Sequence, residues 1–303
     1  EMKVAADGQS AVGVLKQGGE FKTTMKRLAA GDAPLKELNR PQEAKPPYPY
    51  DTVEVQFENK PAGVTLAGTL SVPKGNGPFP CAVMVTGSGP QNRDEALMGH
   101  RPFFVIADHL TRHGIAVLRY DDRGVAKSSG SFATATSDDF AEDALAAVEF
   151  LKLRKEVDAK HIGIIGHSEG GVIAPMCAAK SKDVAFIVLL AGTGMTGAEL
   201  LPLQSKLIGM AAGVPAADAE IQAQDAAKFY AIMLAGKNDA ELKEAIRVTA
   251  LRQLKVAPET KDLSDEELKK KAESVVAEQA AAVLSPWFKR FVGLDPREYL
   301  KKV

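Results

Sequence analysis

The sequence predicts an α/β protein built on a mostly parallel sheet with helices on both faces, and three observations carry that expectation. Strand-like apolar runs alternate with helical patterns from Cys81 to Leu190. The runs Cys81–Val85 and Val184–Leu190 are continuously apolar, as in a sheet covered on both sides. Between the apolar run Ile162–Ile165 and the helical pattern opened by Gly171-Val172-Ile173-Ala174 stands Gly166-His167-Ser168-Glu169-Gly170, a strand, a sharp turn and a helix. The order βαβαβαβ implies parallel strands joined by right-handed crossovers.

At 303 residues, 45% hydrophobic and 25% charged, the chain accommodates one large domain and an accessory piece. Its net charge of −1 provides no electrostatic basis for binding nucleic acid or an anionic membrane surface, so a small neutral substrate fits better. No apolar run reaches the length of a membrane span, and Glu1-Met2-Lys3-Val4 does not open a signal peptide. The two cysteines, Cys81 and Cys177, fall in a predicted strand and a predicted helix without metal-type spacing and read as buried free thiols. No metal or organic cofactor is indicated.

Taken in order, residues 1–27 carry a hairpin signal, 11–16 and 21–27 flanking Gly18-Gly19. A lone hairpin is marginally stable, so residues 1–30 are expected to be the remnant of an N-terminal β domain. Residues 31–50, with Pro34, Pro41, Pro46, Pro47 and Pro49, read as a proline-rich linker. The main domain then spans 51–303. Strand patterns at 52–58 and 64–72, separated by Asn59-Lys60-Pro61-Ala62-Gly63, lead into it as a hairpin. Strands at 81–86, 115–120, 162–167 and 184–190 follow, with helices near 101–113 and from Ser137, where Asp138 and Asp139 suit the positive end of the helix dipole. From about Thr196 no strand pattern occurs. Helical stretches near 198–212, 216–235, 239–256 and 264–284, the last opened by the capping box Ser264-x-x-Glu267, form an insertion at about 196–290. It is expected to cap the active site, the alternative being a bundle packed elsewhere. Ser285-Pro286-Trp287 breaks the pattern, and Asp295-Pro296 starts a final turn.

The chemistry centres on Ser168. Glycines at 166 and 170 leave room for a strained turn that lifts a serine hydroxyl above the sheet edge, with the next backbone N–H aimed at a developing oxyanion. The competing reading, a phosphate-binding glycine turn, is set aside for want of a phosphate fingerprint.

Four stretches together resemble the α/β-hydrolase superfamily, and within it the EstD-type bacterial esterases related to serine-aminopeptidase-like hydrolases: Val85-Thr86-Gly87-Ser88-Gly89-Pro90-Gln91-Asn92-Arg93-Asp94, Tyr120-Asp121-Asp122-Arg123-Gly124-Val125, Gly166-His167-Ser168-Glu169-Gly170-Gly171 and Ser285-Pro286-Trp287-Phe288. The likeness runs from about Tyr50 to Val303. It implies an ester-cleaving serine hydrolase, usually exported, with a smaller β domain ahead of it. By the family pattern Ser168 is the nucleophile, forming an acyl-enzyme that water hydrolyses, and the backbone N–H groups of Glu169 and Ser88 form the oxyanion hole. Asp122 and Arg123 are expected to brace their loop, and the side chains of His167 and Glu169 to be engaged locally. Ala126 departs from the pattern, since glycine is more usual there, so that turn is expected to differ slightly.

In this fold the acid and the histidine follow the nucleophile in the chain. The five histidines, His100, His109, His113, His161 and His167, all precede Ser168. Only about six core strands are found where the superfamily has about eight. The expectation is a fragment, cut at both ends, lacking the last two core strands and the triad Asp and His, and inactive or nearly so by itself. It should also expose a sheet edge beside the 184–190 strand and aggregate readily. Two alternatives stand beside the esterase: a serine peptidase or acyltransferase of the same fold, and a non-catalytic binding module on a hydrolase scaffold. Dehalogenase and dienelactone-type chemistry are disfavoured, because such relatives place Asp or Cys where Ser168 stands.

Overall fold

The computed structural model describes residues 2–5, 7, 10–16, 20–27, 40–236, 238–256, 260 and 262–303. The chain divides into two units, Glu1–Pro41 and Gln42–Val303. In the first, β1 (Met2–Val4), β2 (Ser10–Lys16) and β3 (Glu20–Lys26) form an antiparallel sheet in which Val12 faces Thr24 and Val14 faces Lys22. The strands expected to pair do so, and β1 adds a third that the sequence pattern did not distinguish. Residues 31–39 of the expected linker lie outside the described residues. Its residues 42–50 belong to the second unit, where Glu43 pairs with Arg101 at 2.8 Å, and Tyr48 stacks on Tyr50 and meets the edge of Phe104.

The second unit is built on β4 (Tyr50–Asn59), β5 (Val64–Pro73), β6 (Phe79–Val85), β7 (Ala116–Tyr120), β8 (Val157–His167) and β9 (Phe186–Leu190), in the order β4-β5-β7-β6-β8-β9. β7, β6, β8 and β9 run parallel, while the β4–β5 hairpin joins antiparallel at one edge. The period-two alternation of a strand sorts β6 between two cores. Cys81, Val83 and Val85 face α2 (Ser137–Lys152) and α3 (Gly170–Lys180), whereas Ala82 and Met84 face α1 (Pro102–Arg112) through Phe103 and Ala107. Both cysteines are buried free thiols, and burial pushes the Cys177 thiol up to about 12. β9 forms the other edge, where Phe186 and Val188 keep 38% and 40% of their surface exposed. This is the α/β-hydrolase arrangement of a mostly parallel sheet between helical layers.

After β9 the chain is helical: α4 (Gly197–Ala211), α5 (Ala216–Leu234), α6 (Asp239–Val256), α7 (Asp265–Val283), α8 (Pro286–Gly293) and α9 (Arg297–Leu300). The capping box at Ser264 forms as read, with Glu267 returning to the Ser264 N–H, and unforeseen ones open α2 between Thr136 and Asp139 and α4 between Thr196 and Glu199. Ser285 is less a breaker than a start signal. Its hydroxyl accepts the Phe288 N–H, and Pro286 takes the first turn of α8, where its missing N–H is not needed. α8 carries Trp287 and Arg290, and Arg290 donates to Asp138 at the start of α2 at 3.1 Å.

Candidate active site

The turn between β8 and α3 forms because its glycines allow two backbones to touch. A Cβ on Gly166 would overlap the Gly170 carbonyl, and one on Gly170 would overlap the Val85 carbonyl of β6. The residue between them at the apex, Ser168, is left with φ +51, a left-handed conformation that costs an L-residue about 1–2 kcal/mol. Such strain is tolerated where surrounding structure over-determines it, and here the Ser168 N–H is tied to Leu190 O at the end of β9 at 2.9 Å.

Facing the turn is the loop after β6. Gly87 lies so close that a Cβ on it would sit 3.2 Å from both the Ser168 Cβ and the His167 Nδ1. Among the described residues, the N–H groups of Ser88 and Glu169 meet no acceptor, in contrast to those of Gly87 and Ser168. The three sequence-predicted residues are thus neighbours. The Ser88 side chain also lies beside the Glu169 carboxylate, close enough to favour its charged form.

Glu169 is only 2% exposed, although it is a charged residue next to the apex of the turn. It accepts the Ser137 hydroxyl at 2.7 Å and the Trp287 indole N–H at 2.8 and 3.0 Å, so it ties the start of α2 and α8 to the elbow. Its partners are neutral donors, and burial raises its pKa above the ordinary carboxylate value. The expectation of a local hydrogen-bonding role for Glu169 understated its reach.

Glu95 was missed altogether. It is buried at φ +50, accepts the Gly87 N–H at 2.7 Å, and its Oε1 lies 2.7 Å from His167 Nδ1. One carboxylate therefore holds the loop after β6 against the residue preceding Ser168. The polar run Gln91-Asn92-Arg93-Asp94-Glu95 directly after a buried strand was the available signal. Arg93 bridges Asp121 and Glu54, and buried Arg119 pairs with Asp94 and lies over Phe104.

Asp122 and Arg123 brace their loop. Asp122 accepts the Thr86 hydroxyl at 2.7 Å and the Gln91 N–H at 2.9 Å, and burial pushes its carboxyl up to about 7. Arg123 donates twice to Asp143 at 2.7 Å, and Asn59 donates to the same carboxylate. Ala126 adopts φ +46, so the turn keeps the left-handed geometry that glycine would give at lower cost.

A phosphate-type spacing does occur, contrary to the sequence expectation: Gly192-Thr193-Gly194-Met195-Thr196-Gly197 reads G-x-G-x-x-G between β9 and α4. Helices rather than a second strand follow it, so the βαβ context is missing. Its first and third glycines serve packing, Gly192 against Gly171 and Gly197 against the Phe291 carbonyl. Among the described residues, no group of three or more His, Cys, Asp or Glu is arranged to hold a metal, and no helix is long and apolar enough to cross a membrane.

The signature of the family described as serine aminopeptidase, S33, matches residues 101–258, just over half of the chain. The esterase EstD of Thermotoga maritima is 40% identical over 127 residues, which are 42% of this chain and 30% of that protein. The uncharacterized protein PA2218 of Pseudomonas aeruginosa is 31% identical over 136 residues, 45% of this chain and 35% of that one. The matches thus span about a third of these relatives' length. Among solved structures, that of PA2218 aligns with a TM-score of 0.43 at 25% identity, covering 55% of this chain and 56% of that one. A Pyrococcus furiosus esterase, Pf2001, aligns with a TM-score of 0.42 at 25% identity, covering 55% and 57%. With the β8–α3 turn and the sheet order in place, the match across residues 101–258 identifies this chain as a member of the serine aminopeptidase S33 family of α/β-hydrolases.

Proposed function

We propose that the chain carries the nucleophile half of a serine carboxylesterase. Ser168 attacks the ester carbonyl, the oxyanion is held by the N–H groups of Glu169 and Ser88, and water releases the acyl-enzyme. The observation that carries this reading is Ser168 at φ +51 on the β8–α3 turn, beside two N–H groups that have no acceptor among the described residues. The likeness to a protein named an esterase supports an ester as substrate. The helical segment at about 196–290 acts as the cap, anchored through the Trp287–Glu169 contact.

No histidine follows Ser168, and the imidazole beside it, His167, has its Nδ1 on Glu95. The triad acid and histidine are therefore not supplied by these 303 residues, and the chain alone is inactive or nearly so. The test is hydrolysis of p-nitrophenyl acetate and butyrate by this chain and by the reading frame continued past Val303, each with and without Ser168→Ala. Turnover is expected only in the longer chain with Ser168 intact; Ser168-dependent turnover by the 303 residues overturns the missing-triad reading, and indifference of the longer chain to Ser168→Ala overturns the nucleophile. The family description favours one second reading, cleavage of aminoacyl amides, and comparing aminoacyl p-nitroanilides with short acyl esters separates the two.

A further inference from the structure

The Ser88 N–H belongs to the peptide that follows Gly87, so the Gly87 backbone sets its direction, and a glycine has no side chain to restrict that direction. The next glycine, Gly89, stands at φ +95. Among the described residues, no backbone hydrogen bond engages Ser88, Gly89 or Pro90, and the first tie beyond them is the Gln91 N–H on Asp122. Where the Ser88 N–H points therefore depends on the bond just before it, the Gly87 N–H donated to Glu95 at 2.7 Å. Glu95 is built to make that bond. Its own N–H donates to the Asn92 carbonyl at 2.8 Å, and the Asn92 side-chain oxygen accepts the N–H groups of Asp94 and Ala96. This tight turn leaves Glu95 buried at φ +50, a conformation that residues with a side chain seldom adopt and that clusters at functional sites. Both donors reach one oxygen, since Oε1 takes the Gly87 N–H and also lies 2.7 Å from His167 Nδ1.

From this geometry we infer that Glu95 is a positioning residue for ester cleavage: by clamping Gly87 to His167, it fixes the Ser88 N–H where the oxyanion forms beside Ser168. The inference rests on the reading of Ser168 as nucleophile and adds to it the group that sets the oxyanion hole in advance of the reaction. A donor already aimed at the developing charge stabilises the transition state without reorganising, whereas a free glycine loop would have to be ordered in each turnover. Glu95 itself touches neither the ester nor the Ser168 hydroxyl in this account; it acts through Gly87.

The clamp is tested first without any reaction. In the unaltered 303-residue chain, amide exchange followed by NMR should be at least about tenfold slower at Gly87 than at Ser88, which meets no acceptor. Glu95→Met, close in length but without an oxygen, should release the Gly87 amide, whereas Glu95→Gln, whose carbonyl oxygen can accept both donors, should hold it. In the reading frame continued past Val303, Glu95→Met should lower kcat for p-nitrophenyl acetate about thirtyfold and leave KM within about twofold, and Glu95→Gln should restore kcat to within about threefold. A merely structural role would move the melting midpoint without separating kcat from KM, and circular dichroism verifies that each variant is folded. Equal exchange at Gly87 and Ser88 in the unaltered chain overturns the clamp, as does a Gly87 amide unchanged in folded Glu95→Met. Ser168-dependent turnover that is indifferent to Glu95→Met overturns the positioning role. The nucleophile reading fails by a different result, turnover of the longer chain that survives Ser168→Ala.

Discussion

Replacing Glu169 is the sharpest probe of how the site is held together. Two donors converge on its buried carboxylate, the hydroxyl of Ser137 and the indole N–H of Trp287. In Glu169→Ala both lose their acceptor, and a stranded buried donor costs about 1–3 kcal/mol. Part of the loss is offset, because the native state no longer buries a carboxylate among neutral donors, leaving an expected net of about 2–4 kcal/mol. Glu169→Gln keeps one acceptor oxygen and turns an N–H2 toward the remaining donor, so it should cost less, about 1–2 kcal/mol. Urea unfolding followed by circular dichroism and by Trp287 emission measures both quantities. Glu169→Ala should lower the midpoint and shift the native emission to the red as α8 loses its anchor, with Glu169→Gln in between. An Ala variant with unchanged midpoint and unchanged emission would refute the idea that this carboxylate joins the helical segment to the elbow.

Asp122 should leave a signature in the pH dependence of stability. Its carboxyl is pushed up to about 7 from 3.8 by burial, so the native state keeps a proton that the unfolded chain releases. Its contribution is then complete below pH 3.8 and lost as the pH rises through 7, on the order of 4 kcal/mol across that window. Unfolding free energies at pH 4 and pH 8 should fall by that much more in the unaltered chain than in Asp122→Asn, and parallel profiles would count against it. At the elbow, Gly166→Ala should destabilise the fold by about 3 kcal/mol through overlap with the Gly170 carbonyl, whereas Gly209→Ala, in an open helical position, should stabilise it by up to about 1 kcal/mol; similar thermal shifts for both would contradict the packing account.

The strands and helices were legible because periodicity is local. The run Cys81–Val85 carries its own evidence for a strand covered on both faces, and Ser264-x-x-Glu267 its own evidence for a helix start. The same holds for the elbow, where residues adjacent in sequence fix the strained turn. Contacts between distant segments left weaker traces. Glu95 is 72 residues from His167, and Glu169 is 118 from Trp287, so neither pairing has a period or a spacing that sequence could display.

The sequence by itself determined the α/β class, the six core strands, the helical run after Leu190 and the serine turn, since each follows from backbone propensity and hydrophobic alternation within about twenty residues. Only the tertiary structure decided that β7 lies between β5 and β6, that Glu95 and Glu169 are the carboxylates joining the loops around Ser168, and that α5, α6 and α7 leave a space between them rather than a filled core. Those outcomes depend on side chains from remote segments competing for the same buried hydrogen bonds and the same volume, a competition that exists only once the chain has folded.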